Sequence, residues 1–178
     1  MAPDPTSAAA HSARPDAVGR RTRLRQYQVQ LLERMQAARN DTGARVNQLG
    51  VMIGAERYLL DLTQAGEILP VTPIMPVPLT RPWYLGLANV RGNLVSIIDF
   101  ARYCELSGTA LGPDTRVVTF AQGLGFNCGL LVTRVYGLRY AGDMERTGER
   151  LRDRDGNDWS PLDLSALVRE ARFLQIGF

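Results

Sequence analysis

Residues 86–99 read Gly-Leu-Ala-Asn-Val-Arg-Gly-Asn-Leu-Val-Ser-Ile-Ile-Asp, and few folds accommodate such a stretch. Two apolar runs flank the dipeptide Gly92-Asn93. This predicts a β-hairpin with a two-residue turn, because glycine at the first turn position reaches positive φ without steric cost. Arg91 stands immediately before that turn. Its guanidinium stays charged at physiological pH, and its planar fork suits carboxylates and backbone carbonyls. With no nucleophile, base or metal ligand beside it, the hairpin reads as a docking surface rather than an active site.

The same rhythm extends on both sides. Apolar runs at 49–53, 58–62 and 67–71 alternate with turn residues, the pattern of an all-β barrel or sandwich. Pro70, Pro73, Pro76 and Pro78 then form a crossing that cannot enter a sheet interior. Residues 81–86 predict a short helix, with Pro82 in its first turn and Gly86 as its stop. Residues 100–106 suit another. Strands are expected again at 116–121, 126–132 and 138–140. The glycines at 123, 125 and 129 read as a turn, because their spacing does not match a dinucleotide fingerprint and no helix follows. Charges crowd residues 143–158, an expected exposed excursion, and a helical stripe of leucines closes the chain.

The N-terminal region differs in kind. Residues 1–20 carry three prolines and many alanines, a composition that predicts disorder. Leu24, Tyr27, Leu31, Leu32, Met35 and Ala38 follow helical spacing, so an amphipathic helix and linker are expected over 21–45. Its apolar face suits packing on its own domain or a partner, and its dispersed arginines disfavour a membrane surface.

Composition removes several function classes. All 21 basic residues are arginine and the one histidine is His11, in the leader. The chain therefore lacks a Walker A lysine and a Schiff-base lysine, and a histidine-based triad or zinc site would have to recruit that leader. Cys104 and Cys128 are too few and too isolated for a disulfide framework, which fits reduced thiols in a cytoplasmic setting. Residues 1–50 hold 8 arginines against 4 acidic residues, and residues 51–178 hold 13 against 14. The β-rich part thus has no electrostatic footprint for nucleic acid. No apolar run is long enough for a membrane span.

Tyr58-Leu59-Leu60-Asp61-Leu62, Glu67-Ile68, Val77-Pro78, Gly86, Asn89-Val90-Arg91-Gly92 and Val95-Ser96-Ile97-Ile98-Asp99 together resemble the CheW-like domain. The element G-x-x-N-x-R-G before an apolar strand ending in Asp carries most of the likeness. Gly129-Leu130-Leu131-Val132 and Val135 extend it, although Thr133 stands where the family commonly has an acidic residue. The resemblance implies a mainly β fold of two packed, five-stranded β-barrels with short helices, beside the N-terminal amphipathic helix. The domain would span 46–178, with subdomains at 46–106 and 107–160 and a C-terminal helix at 161–172.

It also implies a non-enzymatic adaptor, without cofactor or metal. Such a protein couples methyl-accepting chemoreceptors to a CheA-type histidine kinase and reaches the membrane through the receptor rather than by insertion. The terminal segments are more similar to the type IV pilus branch, linked to twitching motility, than to flagellar chemotaxis. Partner-binding candidates carried by the pattern are Glu67, Ile68, Gly86, Asn89, Val90, Arg91 and Gly92.

Each has a plainer structural reading. Glu67 and Arg91 also suit a simple ion pair, worth only ~0–1 kcal/mol if exposed. Gly86 and Gly92 suit backbone geometry, and Asn89 suits a local cap. Ile68 and Val90 fit either an interface or a barrel core, while Trp83 and Trp159 are expected in the core. The alternatives from other classes are a hydrolase using Asp61, Glu67 and Asp99, and a nucleic-acid-binding β-barrel. The first lacks a spacing signature and the second lacks charge and aromatic density.

Overall fold

Among residues 47–178, which the computed structural model describes, twelve strands make two six-stranded sheets. The expected leader at 1–20 and amphipathic helix at 21–45 lie outside the described residues. The first sheet runs β10 (Glu145–Thr147), β11 (Arg150–Arg152), β12 (Asp158–Leu162), β2 (Glu56–Asp61), β1 (Asn47–Ile53) and β9 (Arg134–Tyr140). The second runs β3 (Ala65–Pro70), β7 (Arg116–Phe120), β8 (Cys128–Val132), β6 (Asn93–Ile98), β5 (Tyr84–Val90) and β4 (Ile74–Met75). Three four-residue helices accompany them: α1 (Phe100–Tyr103), α2 (Leu164–Leu167) and α3 (Ala171–Leu174).

The mainly β class agrees with the sequence pattern. Each sheet has six strands rather than five, and the short edge strands β4 and β10 help make up the difference, with two and three residues. The sheets do not divide the chain at residue 106. β1 and β2 join β9–β12, whereas β3–β6 join β7 and β8. Beside the antiparallel pairs β1–β9 and β3–β7, two parallel pairings make this interleaving: β12 lies along β2, with Leu162 opposite Leu60, and β6 lies along β8, with Ile97 opposite Gly129. Parallel neighbours need long crossovers, so no turn signal between adjacent strands announces them.

The apolar runs of the second sheet are continuous because both of its faces are covered. Ile98, Val118 and Leu130 enter the main core with Leu49, Val51, Ile53 and Leu60 of the first sheet. Their neighbours Ile97, Val117 and Leu131 turn the other way, into a smaller core with Ala88 and Val95. Both tryptophans are in the core, Trp83 at 4% and Trp159 at 1% exposure. An ideal Cβ on Gly50 would come within 2.9 Å of the Trp159 ring, which accounts for glycine in the middle of β1.

Three local expectations change. Residues 81–86 are not a helix. One turn closes from the Tyr84 amide to the Arg81 carbonyl at 2.9 Å, and β5 begins there. Gly86 sits in β5 at φ +133° beside an irregularity in the β5–β6 pairing. The C-terminal helix at 161–172 is two short helices, because Pro161 and Leu162 complete β12. Asp163 then caps α2, accepting from the Ala166 amide at 3.1 Å. Residues 143–158 are largely exposed, as expected, but carry the β10–β11 hairpin.

Asp99, the residue that ends the G-x-x-N-x-R-G strand, is 1% exposed. Its carboxylate accepts from the amides of Ala101 at 3.1 Å and Thr109 at 2.9 Å and from the Thr109 hydroxyl at 3.0 Å. The Arg102 Nε lies 3.3 Å away. A helix of four residues depends on such a cap, since it has few internal bonds of its own.

Candidate functional site

The hairpin of β5 and β6 closes with Val90 opposite Asn93, so its two-residue loop is Arg91-Gly92 and not Gly92-Asn93. Both loop residues have positive φ, +52° at Arg91 and +85° at Gly92, the signature of a type I′ turn. That turn matches the twist of the flanking strands, and it places arginine where glycine, asparagine or aspartate is usual. Asn89 supports the geometry by accepting from the Gly92 amide through Oδ1 at 2.8 Å.

The turn presents Arg91 to solvent. Its side chain is 72% exposed, and Nη1 lies 3.1 Å from Oε1 of Glu67, itself 52% exposed. Glu67 comes from β3, at an irregularity between Ala65 and Ile68 in the pairing with β7. There Thr119 substitutes for the ladder: its hydroxyl accepts from the Glu67 amide at 2.7 Å and donates to the Glu67 carbonyl at 3.3 Å. A cleft of about 230 Å³ lies beneath the pair, lined by Leu69, Val90, Phe120 and Asn127 among others.

The remaining candidates separate by environment. Asn89 is exposed, Ile68 is 44% exposed, and Val90 is half-buried against the smaller core. Gly86 is buried: a Cβ there would stand 2.7 Å from the Met75 carbonyl carbon and closer still to its oxygen. Its part is backbone geometry. Gly92 meets nothing within 4 Å, so only the turn conformation constrains it.

Sequence reasoning missed Thr119, which is visible only through the β3–β7 pairing. It also missed the apolar shoulder made by Leu94, 52% exposed, and Phe126, 36% exposed. Asn127 joins them, donating to the Leu94 carbonyl while its own carbonyl accepts from the Ser96 amide.

The three carboxylates considered for hydrolysis are each engaged locally. Asp61 accepts from the Thr63 amide and hydroxyl, Glu67 faces Arg91, and Asp99 caps α1. Burial pushes the Cys128 thiol up to about 11 and raises that of Cys104, so neither has the lowered pKa of an activated thiolate. Among the described residues, no group of three or more His, Cys, Asp or Glu side chains is arranged to hold a metal ion. None of their helices is long and apolar enough to cross a membrane.

Two interleaved sheets thus carry a charged hairpin at the edge of one cleft. The CheW-like domain model matches residues 48–146, and the chain belongs to that family. It is similar to PilI of Pseudomonas aeruginosa, 31% identical over 94 residues that cover 52% of this chain and 51% of that protein. It is also 30% identical to the chemotaxis protein CheW of Rhizobium meliloti over 100 residues, 56% of this chain and 63% of that one. FrzA of Myxococcus xanthus is 26% identical over 95 residues, 53% and 54% of the two chains. These matches thus span between about half and 63% of the relatives' length. The fold is shared with the scaffolding protein TtCheW of Thermoanaerobacter tengcongensis. That structure aligns at a TM-score of 0.58 and 18% identity, over 68% of this chain and 92% of that one.

Proposed function

We propose that this protein is a cytoplasmic, non-enzymatic chemosensory adaptor that couples a methyl-accepting chemoreceptor to a CheA-type histidine kinase. The pathway we assign is type IV pilus motility, supported by the similarity to PilI. The observation that carries the reading is Arg91, a permanently charged side chain held in a left-handed turn position at an exposed hairpin tip. The core does not need it there. Strained, exposed and charged positions concentrate where a partner is met.

Arg91 and Asn89 present the polar contacts, Glu67 orients the guanidinium, and Ile68 and Val90 supply the apolar centre. Gly86 and Gly92 hold the backbone shape. The test is reconstitution with the co-encoded receptor and kinase, reading kinase autophosphorylation with and without this protein. Receptor-dependent change in kinase activity should require it, and Arg91→Ala should fold normally and lose most of that coupling. Unchanged control without the protein would overturn the assignment. The comparable similarity to a chemotaxis CheW favours flagellar chemotaxis as the second reading. A deletion strain that twitches normally and fails to swim towards attractant would select it.

A further inference from the structure

A second surface shares no residue with the hairpin cleft. Arg81, Arg102 and Arg172 line a cavity of about 430 Å³, together with Trp83, Glu105 and Gln175. The three arginines come from three separated stretches: the turn before β5, α1 and α3.

Each is held from behind. Arg102 has Nε 3.3 Å from the buried Asp99 carboxylate and donates through Nη1 to the Pro82 carbonyl at 3.4 Å. Arg172 lies 4.8 Å over the Tyr103 ring, with Nη2 3.0 Å from Glu105. Arg81 lies 4.9 Å over the Phe178 ring, and among the described residues no carboxylate stands within ion-pair distance of it. Arg102 is thus paired with Asp99 and Arg172 with Glu105, and Arg81 is the guanidinium of the three without a carboxylate partner among the described residues. Tyr103 donates to the nearby Glu170 carboxylate, which does not line the cavity.

An apolar tip adjoins the cavity through Arg81. Phe178, 79% exposed, donates through its amide to the carbonyl of Leu79, which is 82% exposed, and Gly177 bridges to Thr80. Backbone strain marks the same place. Among the described residues three non-glycine residues have positive φ: Arg91 at the hairpin, and Leu79 at +60° and Glu105 at +63°, both here. Such conformations cost roughly 1–3 kcal/mol each and persist where the surroundings impose them.

We infer that the Arg81–Arg102–Arg172 cavity and the Leu79–Phe178 tip form a second docking surface, which takes an acidic segment of a partner protein. A carboxylate side chain enters the cavity, and an apolar neighbour lies on the tip. Guanidinium forks pair with carboxylates bidentately, and pre-positioned ones lose less entropy on binding. One unpaired guanidinium suits a single carboxylate better than a polyphosphate. The exposed Leu79 and Phe178 would be idle with a free inorganic anion, whereas an apolar centre beside a charged rim is how protein interfaces are built.

The test uses the full chain with 15N-labelled arginine and follows side-chain Nε–H signals by NMR. The probes are a blocked peptide Gly-Asp-Leu-Glu-Leu-Gly, its counterpart with both acids replaced by lysine, and inorganic pyrophosphate. The acidic peptide should shift Arg81, Arg102 and Arg172 saturably, leave Arg116 and Arg134 in place, and outbind the lysine peptide. Arg81→Gln should weaken it about tenfold, as expected for loss of a charge-assisted contact. Phe178→Ala should weaken the peptide and not pyrophosphate. Equal shifts at all arginines, wild-type affinity in both variants, or pyrophosphate saturating the same three arginines as tightly as the peptide would each overturn the inference. Because neither receptor nor kinase is present, the outcome is independent of the hairpin assignment.

Discussion

Replacing Arg91 by glycine separates the two roles that this residue could play. In the turn, Arg91 sits at φ +52°, where a side chain costs about 1–2 kcal/mol relative to glycine. Glycine removes that strain, but it adds about 0.5–1 kcal/mol of unfolded-state entropy. It also loses the Glu67 pair, which at 72% and 52% exposure is worth ~0–1 kcal/mol. The terms nearly cancel, so Arg91→Gly should lie within about 1 kcal/mol of the parent. Arg91→Ala keeps the strain, loses the pair, and should be the less stable variant by about 0.5–1 kcal/mol. Urea denaturation, with midpoint and slope fitted together, resolves such differences when the slopes agree. In the kinase-coupling assay the order should be different: both variants should lose coupling to a similar degree, despite unequal stability. Full coupling by the glycine variant would refute the contact role of the guanidinium. A loss of more than about 2 kcal/mol in the alanine variant would show instead that the pair is structural.

Four further substitutions test the frame of the fold. Gly86→Ala should destabilise by about 3 kcal/mol or more, since its Cβ meets the Met75–Pro76 backbone, whereas Gly92→Ala, with open space around it, should cost about 1 kcal/mol; comparable urea midpoints for the two would refute the close approach. Asp99→Ala should cost about 2–4 kcal/mol by stranding the buried amides of Ala101 and Thr109, and a variant melting with the parent would show that α1 does not depend on its cap. For Asp153, burial pushes the pKa up, but bonds from the Trp159 indole N–H, the Asn157 amide and side chain and the Asp155 amide outweigh it and hold the carboxyl at about 2. A depressed pKa stabilises above the unfolded value near 4 and ceases to as pH falls from about 4 to about 2, a contribution of about 1–2 kcal/mol after allowance for solvent. Asp153→Asn should flatten that acid limb in urea midpoints taken across the range, and an unchanged limb would refute the role.

The parts of the fold that were legible in sequence are those that local rules determine. The alternation through 49–62 and the apolar strand before Asp99 define strands whatever else surrounds them, and the covered faces of the second sheet explain the unbroken Val117-Val118 and Leu130-Leu131 pairs. The family pattern singles out Glu67 and Arg91, and the structure brings them to 3.1 Å. The turn was displaced by one residue because the rule for positive φ favours glycine, and here Asn89, Gly92 and the strand twist hold an arginine in that conformation. The helices expected at 81–86 and 161–172 rested on Pro82 with Gly86, and on leucine spacing. Gly86 is instead required by the nearby Met75 backbone, and Leu162 by a parallel strand pairing. Both are long-range causes. The arginine cavity was illegible for the same reason: residues 81, 102 and 172 share no local pattern.

What joins the two surfaces is the chemistry of a chain without lysine. A lysine ammonium reaches its partner on a flexible stem, so the backbone beneath it is free to follow cheap geometry. A guanidinium acts through a planar fork and must be aimed. At the hairpin the aim comes from a left-handed turn residue and a bulged Glu67. At the cavity it comes from two rings, a buried carboxylate and a Pro82 carbonyl, with strained Leu79 and Glu105 alongside. Among the described residues, each non-glycine residue in a left-handed conformation is therefore an aimed arginine or lies beside one. Strain that served only the core would have no reason to follow the guanidiniums. Strain that serves recognition would.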